Sequence, residues 1–313
     1  MAPKRHGVTA GGTWIVDRVK TIDAYPREDH LATILSETRG GGGGAHNVII
    51  DLALMEAPFP LRGQGVVGTD DEGKWLIQEA FKLGIDVGGI RTTKEQQTSY
   101  TDVMVSKSAG RRTFFHSRGA NRLLEDRDLD PSLSKIYHLA NLTLLDRIDF
   151  SAARTLQQLR STGVKTSVDA ASAGRARLTE VVVPALDHID YLIVNEIEAG
   201  DCAEVPIRRA DGGFDKDALA SAARALYRNN LVVIHLPEGA FAVSKEGELW
   251  LPSKPPPKIV SALGAGDAFC AGVLYGLHEE WPLLQCLDLG HLAAAACLSH
   301  ETTTGGLRPV AEL

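Results

Sequence analysis

Five short apolar runs, separated by helical patterns, restrict the fold of this chain more than any other feature in it. The runs are RGQGVVG (62–68), KIYHLA (135–140), VKTSVD (164–169), YLIVN (191–195) and LVVIHL (231–236). The helical patterns cover Glu72–Leu83, Ser151–Leu159, Leu178–Leu186 and Asp217–Arg228. Apolar runs with little polar alternation belong to strands buried on both faces, and the helices between them supply the crossovers that parallel strands require. The expectation is an α/β fold in which a mostly parallel central sheet is covered by helices on both faces. Leu283 to Leu298 adds a last helix rich in Ala and Leu. A chain of 313 residues is within the reach of one such domain with an appendage, so 1–313 is read as a single domain.

Two stretches break the rhythm. Residues 18–37 and 98–116 read as short alternating strands, the second as a hairpin turning at Ser108–Gly110. They form either an extra sheet edge or a small β-sheet lid over the C-terminal ends of the main strands, where open α/β sheets bind ligands.

Charge and cysteine usage narrow the function. A formal net charge of -7 without a long Lys/Arg block argues against a nucleic-acid surface. No stretch approaches the ~18 apolar residues of a membrane span, and the start, MAPKRHGVTAGG, has no apolar leader core. Cys202, Cys270, Cys286 and Cys297 lack paired metal-ligand spacing and read as buried thiols of a reducing, cytoplasmic compartment.

Four places are candidates for chemistry. The first is IVSALGAGDAFCAG (259–272), where Gly264, Ala265 and Gly266 precede Asp267 and a helix over roughly Ala268–Leu277. A carboxylate in a first helical turn is either a cap or a base beside bare N–H groups that attract an anion. The second is the glycine run 40–44, a loop feeding a helix at about Ala45, with Asn47 on its first turn. It has neither the strand and distal acid of a dinucleotide fingerprint nor the Gly-Lys-Ser/Thr of a P-loop. The third is Asn195 with Glu198 in LIVNEIEAG, which by themselves satisfy a capping box. The fourth is Asp17, after GTWIV, which alone reads as a turn acid.

In this order, Asp17, Gly43–Gly44 with Asn47, Asn195 with Glu198, and GAGD at 264–267 resemble the ribokinase-like (PfkB) family of carbohydrate kinases. GVVGTDDEG (65–73) and KLGID (82–86) add to a resemblance running from Gly12 to about Pro309. It implies a ribokinase-like three-layer sandwich with a β-sheet lid over 18–37 and 98–116, ATP and Mg²⁺ as cofactors, and a small-molecule sugar as substrate. It further implies Asp267 as general base and Gly264, Ala265 and Gly266 as a backbone anion hole. Asp17, Gly43, Gly44 and Asn47 would clamp a sugar diol, and Asn195 and Glu198 would serve Mg²⁺ and the phosphates, Glu198 through water. A homodimer paired through the lid also follows from the resemblance.

The chain departs from the family pattern in three places. LVVIHLPEGAFAV (231–243) has His235 and Pro237 where the family has Thr and Gly, leaving His235 and Gly239, with His291 of the last helix, as nucleotide-side candidates. Ser261-Ala262-Leu263 replaces the family's Asp-Thr-Thr, so potassium activation is doubtful. Ile15 stands where ribokinases carry an Asn, which leaves fructose, a keto-deoxy sugar acid or a nucleoside open as acceptor. A nucleoside would be favoured by stacking on Trp14 or Phe114, and Arg118 in HSRGAN would meet an anionic group or form a lid salt bridge. A non-catalytic sugar-binding relative is the third alternative.

Overall fold

The computed structural model describes residues 5–108, 112–132 and 134–313. In chain order its first strands are β1 (Val8–Gly11), β2 (Ile15–Ile22), β3 (Ile34–Gly42), β4 (Leu61–Gly68), β5 (Asp86–Thr93), β6 (Ser99–Ser106) and β7 (Arg112–Ser117). Then come β8 (Ile136–Leu142), β9 (Lys165–Ala170), β10 (Tyr191–Asn195), β11 (Leu231–Leu236), β12 (Gly239–Ser244) and β13 (Gly247–Pro252). The α-helices are α1 (Gly44–Leu54), α2 (Asp71–Lys82), α3 (Ala152–Ser161), α4 (Arg175–Val181), α5 (Glu196–Ala203), α6 (Lys216–Leu226), α7 (Ala265–His278) and α8 (Leu283–Leu298).

Nine strands form the main sheet in the order β13-β12-β11-β10-β9-β8-β1-β4-β5, parallel except for the β11-β12-β13 meander at one edge. The apolar runs are unbroken because each face has its own core. In β10, Ile193 joins one cluster with Ala45, Phe269 and Leu287, whereas Leu192 and Val194 join the other with Leu178, Leu219 and Leu226. Burying each such side chain contributes roughly 1.5–3 kcal/mol, and these alternating residues are fully or nearly fully buried. The three-layer sandwich expected from the sequence is therefore the fold.

The small sheet has the order β3-β2-β6-β7, with β2 and β6 parallel and the outer pairs antiparallel. It is joined to the main sheet after the C-terminal ends of β1 and β5, the end of the strands where ligands bind. Residues 109 and 110 of the expected hairpin turn lie outside the described residues.

Three expectations are corrected. The glycine run is not all loop: Gly40–Gly42 pair with β2 as the end of β3, and α1 begins at Gly44. Asp17 is not in a turn but inside β2. The helix expected over Leu178–Leu186 ends at Val181 and continues as a 3₁₀ turn from Val183, because Pro184 has no N–H for the helical ladder.

Candidate active site

Gly264 is the left-handed residue before α7, with φ 77°. A Cβ there would overlap the Thr303 carbonyl oxygen, so both conformation and space call for glycine. The N–H groups that open α7 have no partner within the helix and carry its partial positive charge. Asp267 sits in that first turn, and Asn47 Nδ2 donates to its Oδ2 at 2.7 Å. Asn47 is 2% exposed and lies in the first turn of α1, so packing of α1 on α7 sets this contact. Burial, followed by the charge of Asp169, pushes the Asp267 carboxyl up to about 7, against the opposing hydrogen bond from Asn47. Asp267 can thus hold a proton or accept one near neutral pH.

Asp17 comes from the small sheet, paired across β2 and β3 with Gly40 and across β2 and β6 with Thr101. Gly42 makes room for it, since a Cβ on Gly42 would overlap the Asp17 carboxylate. Burial raises Asp17 to about 6, and a hydrogen bond from Thr101 opposes the shift. Gly43, at φ 90°, turns the chain from β3 into α1, and a Cβ there would lie 2.6 Å from the Thr13 carbonyl oxygen. Gly44 would bring a Cβ to 3.0 Å from the Asn141 amide.

Two adjoining cavities share Asn195, His235 and Gly266. The smaller, about 200 Å³, is lined by Asn141, Asp169, Asn195, Glu198 and Asp267 among others, and by no Lys or Arg. The larger, about 470 Å³, is mostly apolar, between the Pro237 and Pro255 segments and α8, with Phe269 and His291 in its wall. His235 is pushed down to about 4 by burial and is neutral, its ring 5.1 Å from that of Phe269. His291 Nε2 is 3.2 Å from the Leu251 carbonyl oxygen and its ring meets Phe269 edge-on. Gly239 lines neither cavity; it is packed under the Leu251 carbonyl and the Trp250 ring.

Asn195 and Glu198 form a complete capping box at the start of α5. Asn195 Oδ1 accepts from the N–H groups of Ile197 and Glu198, and Glu198 accepts from the Asn195 N–H at 3.1 Å. Ser172 donates to the other Glu198 oxygen at 3.0 Å. Burial, with the charge of Asp169 adding to it, raises Glu198 to about 8. Asp169, Glu198 and Asp267 thus crowd three carboxyl groups around one small cavity without a cationic side chain. That hard-oxygen set fits a divalent cation that keeps part of its water, because such an ion would relieve the crowding.

Some expected residues sit elsewhere. The Arg118 guanidinium is paired with Asp146, in the segment after β8, and lines neither cavity. Trp14 is fully buried: its Nε1 donates to the Gln64 carbonyl at 2.9 Å, and its ring meets His46 edge-on. Asn141 and Asp169 were missed. Asp169 ends the run VKTSVD, and a polar residue at the C-terminal end of a parallel strand was the available signal. Asn141 lies one residue beyond the run KIYHLA, in a left-handed conformation with φ 54°, and gave no local signal.

The chain is 27% identical to an ATP-dependent ribose-1-phosphate kinase of Halopiger xanaduensis, over 90% of this chain and 88% of the relative. It is 24% identical to a 5-dehydro-2-deoxygluconokinase of Geobacillus kaustophilus, over 93% and 89%. The structure of Arabidopsis thaliana ribokinase superposes with a TM-score of 0.79 at 19% identity, covering 99% of this chain and 97% of that one, and shows the same fold. Among the described residues no helix is long and apolar enough to cross a membrane. The sequence model of the pfkB family of carbohydrate kinases matches residues 14–309, nearly the whole chain, and this protein is a member of that family of phosphotransferases.

Proposed function

We propose that the protein is an ATP-dependent sugar kinase that moves the γ-phosphoryl group of ATP to a hydroxyl of a small polyol acceptor. The observation that carries this reading is Asp267: a carboxyl poised near neutrality, in the first turn of α7, lining the polar cavity next to Gly266, which that cavity shares with the apolar one. The apolar cavity suits a nucleobase and the polar one the reacting groups. Asp17, whose carboxylate lies over Gly42 and lines neither of these two cavities, accepts from acceptor hydroxyls; a buried acceptor discriminates strongly against analogues lacking them.

In the reaction the acceptor oxygen forms a bond to the γ-phosphorus as the bond from that phosphorus to the bridging oxygen breaks, and ADP departs with the electron pair. The hydroxyl proton passes to a carboxylate oxygen of Asp267. The N–H groups around Gly264, Ala265 and Gly266 stabilise charge on the transferring group, each worth about 3 kcal/mol where such a donor has been removed elsewhere. Asp169 and Glu198 would hold Mg²⁺, largely through water, and the bound ion supplies neutralisation of phosphate charge. His235 and His291 border the nucleotide side as neutral packing groups.

The lid has an apolar exposed surface: Ile34, Leu35, Phe114 and Phe115 are each about half exposed, on the edge strands β3 and β7. We assign this surface to pairing with a second copy, which light scattering of the purified chain would show as a doubled mass. The activity itself is tested by ADP release from ATP and Mg²⁺ with a panel of sugars, sugar phosphates, sugar acids and nucleosides. Turnover of a sugar above the rate in its absence supports the reading; ADP release with nucleosides alone, or with none, overturns it.

A further inference from the structure

No metal-ligand spacing surrounds Cys270 in the sequence, yet the fold sets it beside His138 of β8 and Asp169 of β9. One ligand atom from each of the three lies within 4.8 Å of the other two. His138 Nε2 is 3.4 Å from Asp169 Oδ2 and 3.9 Å from Cys270 Sγ. The ligand atoms of a tetrahedral zinc ion, with bonds of roughly 2.0–2.3 Å, stand roughly 3.3–3.6 Å apart, so these separations already approximate two edges of such a shell. Two of the ligands are also oriented from behind. Ser167 Oγ lies 3.0 Å from His138 Nδ1 and can take the Nδ1 proton, which leaves the Nε2 lone pair toward Asp169 and Cys270. The Asn141 N–H donates to Asp169 Oδ1, leaving Oδ2 on the His138 side.

Asp169 and Cys270 line the polar cavity of about 200 Å³, whose wall has no Lys or Arg and whose space can supply water as a fourth ligand. A thiol and an imidazole suit a softer ion than Mg²⁺, which takes hard oxygen donors. We infer that His138, Asp169 and Cys270 form a second cation site, which takes a borderline-soft divalent ion such as Zn²⁺ with three protein ligands and one water from the cavity. On binding, the Cys270 sulfur bonds to the ion and its proton leaves to solvent. Asp169 also belongs to the set assigned above to Mg²⁺, so zinc in this site competes for that carboxylate and lowers turnover. That consequence rests on the kinase reading; the site itself does not.

The test titrates Co²⁺ and Zn²⁺ into the purified full-length chain, first cleared of metal by a chelator, beside Cys270→Ala and His138→Gln. Melting temperatures identify any variant that fails to fold. Wild type should bind Co²⁺ with a near-ultraviolet thiolate-to-cobalt absorption band, which Zn²⁺ should displace. Both variants should bind Zn²⁺ at least ~30-fold more weakly, and Cys270→Ala should lose the band. In the ADP-release assay with ATP and Mg²⁺, Cys270→Ala should need at least ~10-fold more Zn²⁺ than wild type for the same inhibition. Absence of the band in wild type, an undiminished band in Cys270→Ala, wild-type zinc affinity in either folded variant, or equal zinc inhibition of wild type and Cys270→Ala would overturn the inference. A wild-type protein inactive on every acceptor would overturn the kinase reading alone, because the band and the titrations are read without turnover.

Discussion

Asn47 of α1 and Asp267 of α7 are 220 residues apart in sequence and meet through a 2.7 Å hydrogen bond, with the amide donating to the carboxylate. The contact fixes the carboxylate beside the start of α7 and leaves its second oxygen for a ligand. It also opposes the rise in pKa that burial imposes.

Asp267→Asn keeps an oxygen for Asn47 but removes the proton acceptor. The folded variant should retain its affinity for ATP and lose at least ~100-fold in kcat. With the carboxyl raised to about 7, the base is present above that pH and lost below it, so wild-type kcat/KM should fall as pH drops through about 7. Steady-state rates from pH 5 to 9 check both points; half the wild-type kcat in the variant would exclude the base role.

Asp17→Ala should raise acceptor KM and lower kcat/KM for the acceptor with little change in the ATP constant, because only the acceptor loses a partner. Burial raises Asp17 to about 6, so acceptor KM in the wild type should rise as pH falls through that value. Equal damage to both substrate constants would place Asp17 outside the acceptor site.

The glycines before Asp267 differ in what they tolerate. Gly264→Ala meets the Thr303 carbonyl in a left-handed conformation and should lower stability by ~1–3 kcal/mol, read by thermal melting. A Cβ on Gly266 lies 3.2 Å from the His235 ring, a tight but yielding contact. Gly266→Val should therefore fold less stably and lose turnover, its branches filling the space where the two cavities join. Normal melting and normal kcat in Gly266→Val would reduce the residue to helix packing.

Potassium should have little effect. Ser261, where the family has a carboxylate, is buried and accepts the Leu263 N–H at 3.2 Å, and the Cys297 thiol already donates to the Leu263 and Thr303 carbonyls. Rates in sodium or Tris salts should match those in potassium at equal ionic strength, which removes screening as a cause. Saturable activation above ~5-fold by potassium alone would contradict this.

Asp51 on α1 is fully buried and neither carboxyl oxygen has a hydrogen-bond partner in the described residues. Burial, with the charge of Asp267 adding to it, holds its pKa well above the usual range. The folded chain therefore keeps the Asp51 proton where the unfolded chain releases it, near pH 4. Stability is full below that pH and declines as pH rises toward the folded value, at most on the order of 1 kcal/mol per pH unit. Asp51→Asn removes this dependence, so its advantage in Tm over wild type should grow from pH 5 to pH 8. A constant difference would show that Asp51 is not protonated in the fold.

The main sheet could be read from the chain because burial on both faces leaves a local mark. YLIVN and LVVIHL coincide with β10 and β11, and the capping box of Asn195 and Glu198 lies within four consecutive residues. The helix after GAGD and the strand character of the lid were local in the same way. Contacts that cross the fold left no such mark. Gly40–Gly42 are strand rather than loop because β2 offers a pairing edge and Asp17 needs the space over Gly42. Trp14 is a core residue because Gln64 of β4 takes its N–H. The donors of Asn141 point into the cavity because Thr13 and Gly44, 128 and 97 residues away, hold its oxygen. The raised pKa of Asp267 likewise comes from desolvation and from Asp169, 98 positions before it (267 − 169). Propensity and periodicity act over a few residues, whereas the direction of a side chain and the dielectric around it depend on elements that only packing brings together.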